Sequence, residues 1–275
     1  MYKIAEKRKL ADKVTMLSVY APDIARKAKA GQFVIVRCSE KGERIPLTIA
    51  DFSNDEGTVT VIIQEVGKTT IELCALEEGG YISDVSGPMG NPTHVKKYGT
   101  VVCIGGGIGV ACIYIIAKAM KEQENRVISI MGARNNSLLF WEEKIRTVSD
   151  EVVVTTDDGS YGKRGLVTDR LKEVSESNKI DFVISIGPAV MMKAVSERTG
   201  GYGIKSVASL NSIMIDGTGM CGSCRVAVDG KTKFACVDGP EFDAHKVDFD
   251  LLIRRGQVYR EHEKEALHKC RIGLK

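Results

Sequence analysis

Long apolar runs are missing from this sequence of 275 residues. No stretch approaches the roughly 20 residues that cross a bilayer as a helix, which excludes a membrane-span reading. The opening MYKIAEKRKLADKV has no apolar core of a secretory leader, so a cytoplasmic protein is expected. Charge of one sign is scarce too: the formal net charge is +3. So mild a balance argues against a nucleic-acid partner or a membrane-seeking surface. Histidine occurs only at His94, His245, His262 and His268. These are scattered, and none is assigned a catalytic role. Eight cysteines are sparse for a disulfide scaffold of this length; in a reducing compartment they stay thiols or bind metal. Repeats and low-complexity stretches are absent. What is present is an ordinary apolar content of 43%, enough for real cores, in a chain long enough for two or three domains.

Three rhythms divide the chain. Residues 1–96 carry short β-rich stretches, KVTMLSVYAP, QFVIVRCS, RIPLTIADF and TVTVIIQEV, separated by turn residues. One helix, TTIELCALEEGG, interrupts them, with Thr69 or Thr70 suited to cap its start and Gly79 to close its end. Several strands and one helix predict a small antiparallel barrel. Residues 99–208 alternate strands (TVVCIGGG, VISIMGA, EVVVTTDDG, DFVISIG) with helices, which predicts an α/β domain on a doubly wound parallel sheet. Residues 209–275 hold a cysteine loop and a polar helical tail, YREHEKEALHKC.

Glycine concentrates where chemistry is expected. Gly105, Gly106, Gly107 and Gly109 lie between a strand and a helix, where backbone can approach a pyrophosphate and the helix start offers free N–H groups. Asp157 and Gly187 follow later strands at the same sheet edge, though an aspartate there is equally a turn residue. In the barrel, RIPLT (Arg44, Pro46, Leu47, Thr48) brings an arginine with forked donors and a hydroxyl. An ordinary strand explains it as well until Gly67, Thr69 and Thr70 add a second glycine-to-helix junction. Cys38, Cys74, Cys103 and Cys112 sit in apolar context and read as packing residues. Cys270 has no partner at ligand spacing. The clustered thiols, Cys221, Cys224 and Cys236 in DGTGMCGSC and beyond, form an incomplete set for a tetrahedral metal.

Arg44–Thr48 with Gly67–Thr70 resembles the flavin-binding barrel of the ferredoxin–NADP reductase superfamily, and the GGGIG sheet resembles its nicotinamide domain. The pattern D-G-x-G-M-C-G-x-C followed by C-V-D-G-P-E-F resembles the electron-transfer subunit of dihydroorotate dehydrogenase. More closely it resembles the small subunits of bifurcating NADH-dependent ferredoxin–NADP oxidoreductases, also called sulfide dehydrogenase subunits. The resemblance covers essentially the whole chain. It implies FAD on Arg44, Thr48, Gly67, Thr69 and Thr70. It implies NAD(H) along Gly105, Gly106, Gly107 and Gly109, bordered by Asp157 and Gly187. It implies a [2Fe–2S] cluster on Cys221, Cys224 and Cys236.

Plant-type loops use C-x4-C-x2-C plus one distant cysteine. Here the first position is Asp216, as in the bifurcating subunits, and a carboxylate can ligate iron. Asp216 as a plain turn residue, with zinc on the thiols, is the alternative. No acidic residue follows the second strand of the sheet, and Arg134 there could meet a 2′-phosphate, yet the resemblance favours NAD(H). No C-x2-C-x2-C-x3-C run occurs. A larger flavin and iron–sulfur partner subunit is therefore implied, with ferredoxin reached only through it. An NAD-linked dihydroorotate system is the rival within the class. A zinc-stapled, non-redox nucleotide-binding protein is the rival outside it.

Overall fold

The structure, a computed structural model, describes residues 1–271; the last four residues of the expected third segment, 272–275, lie outside the described residues. The first segment forms β1 (Tyr2–Ala11), β2 (Val14–Tyr20), α1 (Pro22–Ala25), β3 (Phe33–Arg37), β4 (Arg44–Ser53), β5 (Thr58–Gln64), α2 (Lys68–Ala75), β6 (Tyr81–Ile82) and β7 (Asp84–Met89). Its strands pair in the order β6-β1-β2-β5-β4-β3-β7, every pairing antiparallel. The two edge strands, β6 and β7, are separated in sequence by Ser83 alone. The sheet must therefore curl until its edges meet, which makes it barrel-like. Leu17, Val34, Val36, Ile49, Ile63 and Leu73 fill the inside. Helix α2 stops before Leu76, sooner than the sequence suggests, and Gly79 does not close it. Gly79 instead turns at φ +82 and donates its N–H to the Ile4 carbonyl.

The second segment forms β8 (Thr100–Gly106), α3 (Gly109–Glu122), β9 (Arg126–Ala133), α4 (Glu142–Arg146), β10 (Glu151–Thr156), β11 (Lys163–Arg164), α5 (Val167–Ser177), β12 (Phe182–Ile186), α6 (Ala189–Gly201) and β13 (Ser206–Ser209). Strands β11-β10-β9-β8-β12-β13 run parallel in that order. Strand β8 alternates its contacts: Val101 and Cys103 pack with α3, while Val102 and Ile104 pack with α5 and α6. Burial on both faces explains its unbroken apolar run. Helix α3 is apolar almost all round because it lies between this sheet and barrel strand β4. Lys144 of α4 ties the two units further. Its ammonium meets Asp51 at 2.6 Å and lies 4.1 Å from the Trp141 ring centroid and 4.3 Å from that of Tyr114.

The third segment forms β14 (Arg225–Val228), β15 (Lys231–Phe234), β16 (Glu241–Asp243), α7 (Phe249–Arg255) and α8 (Arg260–Arg271). Strands β14 and β15 make a hairpin, whereas β16 joins the parallel sheet, antiparallel to β13. The segment thus shares a sheet with its neighbour. Its core also takes in Phe33 and Ile35 from the outer face of the barrel. Among the described residues no helix is long and apolar enough to cross a membrane.

Glu241 lies at the junction of the three segments. Its carboxylate accepts a hydrogen bond of 2.5 Å from Thr93 Oγ1, which follows the barrel. The residue is partly exposed, yet loss of water around the carboxyl pushes its pKa up to about 7 from 4.5. Between those pH values the folded chain keeps a proton that the unfolded chain releases. Stability therefore falls as pH rises to about 7 and levels off above it. Glu241→Gln should remove this slope. At pH near 8 it should be more stable than wild type by about 2 kcal/mol, discounted for partial exposure. Thermal melts near pH 5 and pH 8 check this; a variant that keeps the wild-type difference between them contradicts it.

Candidate functional site

Strand register decides which barrel residues share a face. Arg44 pairs with Arg37, Pro46 with Ile35 and Thr48 with Phe33. Paired residues point the same way, and Phe33 and Ile35 pack outward against the third segment. Arg44, Pro46 and Thr48 therefore form one row on the outside of the barrel. Leu47 faces the opposite way, packed on the barrel core; its side chain is separated from that row. At the far end of the row, the Thr48 hydroxyl is within hydrogen-bonding reach of the Cys112 thiol on α3, which burial pushes up to about 11.

The α2 junction stands at the other end. Thr70 Oγ1 accepts from the N–H groups of Val66 and Gly67, at 3.0 Å each, so Thr70 is the capping threonine. Thr69 is buried, and its hydroxyl donates to Glu43 Oε2 at 2.7 Å, tying the helix start to the residue before Arg44. Nothing lies within 4 Å of where a Cβ on Gly67 would stand. The first intrahelical bond runs from Ile71 N–H to the Gly67 carbonyl. The N–H groups of Lys68, Thr69 and Thr70 precede that bond and suit an anion.

In the parallel sheet the glycines separate into two kinds. A Cβ on Gly109 would stand 2.1 Å from the Ile186 carbonyl oxygen, and one on Gly105 would stand 2.8 Å from Val110 Cα. These two are there for close packing of helix start on strand end. Gly106 and Gly187 abut, a Cβ on Gly187 lying 3.0 Å from the Gly106 oxygen. Gly107, at φ +56 with no neighbour within 4 Å, is the open apex. The strand order sets Gly187 beside this loop but Asp157 two strands away, roughly 10 Å along the same edge. Asp157 and Arg134 are both exposed. A cavity of about 570 Å³ lies elsewhere, beside β10 and α5. It is lined by none of these residues.

The thiol loop lies against the barrel row. Arg44 Nε donates to the Ile215 carbonyl at 3.0 Å, and its guanidinium meets Asp84 at 3.4 Å. A Cβ on Gly217, at φ +78, would stand 2.1 Å from Met89 Sδ and 2.9 Å from Ile35 Cγ1, so only glycine lets the loop come this close. Cys224 and Cys236 are buried with sulfurs 3.2 Å apart. A disulfide needs ~2.05 Å. Two thiolates on one tetrahedral metal stand ~3.8 Å apart given metal–sulfur bonds of ~2.3 Å. The pair thus fits a shared metal after a small opening. Burial and the Cys224 sulfur raise the Cys236 pKa to about 12.

Cys221 and Asp216 form the mouth of the loop. Asp216 accepts from Thr218 N–H at 2.6 Å and from Cys221 N–H at 2.8 Å, and these bonds lower its pKa. Hydrogen bonds from Ser223 lower that of Cys221, which is exposed. As the side chains stand, no three His, Cys, Asp or Glu among the described residues converge on one point. The carboxylate is occupied by its own loop, while the buried thiol pair and Cys221 remain a donor set suited to soft metal chemistry. Contacts that the sequence did not signal include Asn91, which donates to the Val237 carbonyl just after Cys236. Arg255 is another, donating to the Ser223 carbonyl from 32 residues away. A basic pair ending a helix reads simply as a partner for the helix dipole.

A curled antiparallel sheet, a parallel nucleotide-type sheet and a thiol loop against both define a ferredoxin reductase-like oxidoreductase. Residues 103–197 match an oxidoreductase NAD-binding domain, and residues 211–248 match the iron–sulfur cluster binding domain of dihydroorotate dehydrogenase B. The chain is 46% identical over 261 residues to a dihydroorotate dehydrogenase B (NAD(+)) electron transfer subunit homolog of Thermotoga maritima, covering 95% of this chain and 92% of that protein. It is 32% identical over 253 residues to the electron transfer subunit of Bacillus caldolyticus, covering 89% and 96%. A solved structure of the NADH-dependent reduced ferredoxin–NADP oxidoreductase superposes with a TM-score of 0.93 at 44% identity, covering 98% of this chain and 97% of that one. The chain belongs to the family of dihydroorotate dehydrogenase B electron transfer subunits and their homologues.

Proposed function

We propose that this chain is the electron-transfer subunit of a bifurcating, NADH-dependent ferredoxin–NADP oxidoreductase. The carrying observation is the direct seat of the thiol loop on the Arg44–Thr48 row, through the Arg44 bond to Ile215 and the Gly217 contact with Met89 and Ile35. FAD, when bound, exchanges an electron pair as hydride with NAD(H) and passes electrons singly to a [2Fe–2S] cluster. Thr48 lies at the ring end of the row, beside the nicotinamide domain. Gly67 and the start of α2, set by Thr69 and Thr70, receive the pyrophosphate. Arg44 neutralises phosphate charge there while holding the loop. Gly107 leaves open backbone for the nicotinamide nucleotide. Cys221, Cys224, Cys236 and Asp216 hold the cluster. A proton-transfer residue is not required.

NADPH and ferredoxin are handled by a larger flavin and iron–sulfur partner in the cytoplasm, consistent with eight free cysteines. The second reading, an NAD-linked dihydroorotate system, draws on the matched iron–sulfur domain. That same match counts against a zinc-stapled, non-redox protein. Protein purified anaerobically with its partner should hold, per copy of this chain, one FAD and two irons with two sulfides beyond the partner's own complement. Zinc without sulfide on this chain contradicts the proposal.

A further inference from the structure

Two guanidinium groups reach the thiol loop from different sides. Arg44 comes from barrel strand β4 and donates to the Ile215 carbonyl at 3.0 Å. Arg255, the last residue of α7, donates to the Ser223 carbonyl at 3.3 Å. The two carbonyls are not arbitrary. A peptide unit is planar, so fixing its carbonyl also fixes the N–H and Cα of the next residue. The residue after Ile215 is Asp216, and the residue after Ser223 is Cys224. Each arginine therefore fixes the peptide that leads into one of the residues proposed above to hold the cluster.

Their charges differ in how far they are compensated. Arg44 shares its charge with Asp84 at 3.4 Å. Arg255 is only partly exposed, and among the described residues it forms no ion pair. The neighbouring acids on its helix are engaged elsewhere: Asp250 pairs with Lys193, and Asp248 caps the helix start through Leu251 N–H. Arg255 thus brings a nearly whole positive charge to the loop. Adding an electron to a cluster makes the site more negative, and a nearby cation favours that state.

We propose that Arg255 is a positioning residue that pins the loop at Cys224 and raises the reduction potential of the cluster, with Arg44 as its weaker counterpart across the loop. This rests on the cluster reading above. Arg44 also faces the expected flavin row, so Arg255, remote from that row, is the cleaner residue to test. The experiment uses the complex of this chain with its partner, and Arg255→Met and Arg255→Lys beside wild type. Each is titrated anaerobically against potential, with the [2Fe–2S] signal followed by electron paramagnetic resonance and iron, sulfide and flavin measured on the same samples.

Arg255→Met should keep its flavin and titrate at lower potential. At the wild-type midpoint its ratio of reduced to oxidised cluster should fall about tenfold, the effect of one unit charge roughly 12 Å away at an effective dielectric near 20. Arg255→Lys keeps the charge without the fork and should lie between. An Arg255→Met protein that titrates with wild type overturns the inference. If Arg255→Met loses iron and sulfide, the lysine variant decides. Recovery of the cluster in the lysine variant, at or just below the wild-type potential, supports the inference, and a lysine variant that titrates above wild type or loses the cluster as well overturns it. A wild-type complex with no such cluster signal overturns the cluster reading itself, a distinct outcome.

Discussion

Asp216→Ala is expected to cost the protein its iron and sulfide while FAD stays bound. The carboxylate fills the first slot of the D-x4-C-x2-C frame, and it holds the loop mouth through the N–H groups of Thr218 and Cys221. Alanine removes both functions at once. Losing an outer support alone lowers metal affinity about 10- to 100-fold, so a ligand that is also a support should lose at least that much. The proposed flavin row rests on Arg44, Thr48 and the α2 junction, none of which bonds to the Asp216 side chain, so flavin content should hold. Asp216→Cys separates the two roles. A thiolate restores a four-ligand set but puts one sulfur, a weaker acceptor, in place of the two carboxylate oxygens that take the N–H bonds, so the cluster should persist at an altered potential. Iron, sulfide and flavin assays on both variants, with redox titration, are the check. An Asp216→Ala protein with a full cluster and unchanged potential would show that the carboxylate is a turn residue and that a fourth ligand lies elsewhere.

Gly109→Ala should be the most damaging single methyl group in the nicotinamide domain. Its Cβ would stand 2.1 Å from the Ile186 oxygen, 2.7 Å from the Ile186 carbonyl carbon and 3.2 Å from Gly187 N. All three are backbone atoms that cannot rotate away. Either α3 or the end of β12 must move, and both border the expected nucleotide site. Overpacking of this kind costs about 3 kcal/mol, which in a chain of this size lowers Tm by roughly 6–12 °C. NADH affinity should fall with it. Gly107→Ala is the contrast: it meets no atom within 4 Å and costs only the ~1–2 kcal/mol of a left-handed backbone. Its defect should appear in NADH affinity more than in melting. Equal melting temperatures for the two variants would contradict the division between packing and open glycines.

That division was not legible in the sequence, where GGGIG reads as one phosphate loop. The partners that set Gly109 apart, Ile186 and Gly187, are brought in by strand order. The same holds for Arg44, whose bond to Ile215 spans 171 residues. Strands β2, β3, β5, β8, β9 and β12 were readable because each buries apolar residues in quantity, and β4 and β10 because β-branched residues crowd RIPLTI and EVVVTT. Strand β1 was not: of YKIAEKRKLA only Ile4 is buried, and its pairing with β2 rather than its composition makes it a strand. Strands β6 and β16, of two and three residues, are too short to carry a period. Cysteine spacing, by contrast, singled out Cys224 and Cys236 together, and hairpin β14–β15 folds the intervening residues back so that their sulfurs stand 3.2 Å apart.

The most direct test of the account is an anaerobic titration of the complex with NADH, following flavin absorbance and the [2Fe–2S] paramagnetic signal together, in wild type and in Cys224→Ser. The account predicts that NADH bleaches this chain's flavin in both proteins and that the [2Fe–2S] signal grows only in wild type. A wild-type protein in which NADH bleaches no flavin on this chain, or in which the [2Fe–2S] signal survives Cys224→Ser unchanged, contradicts it.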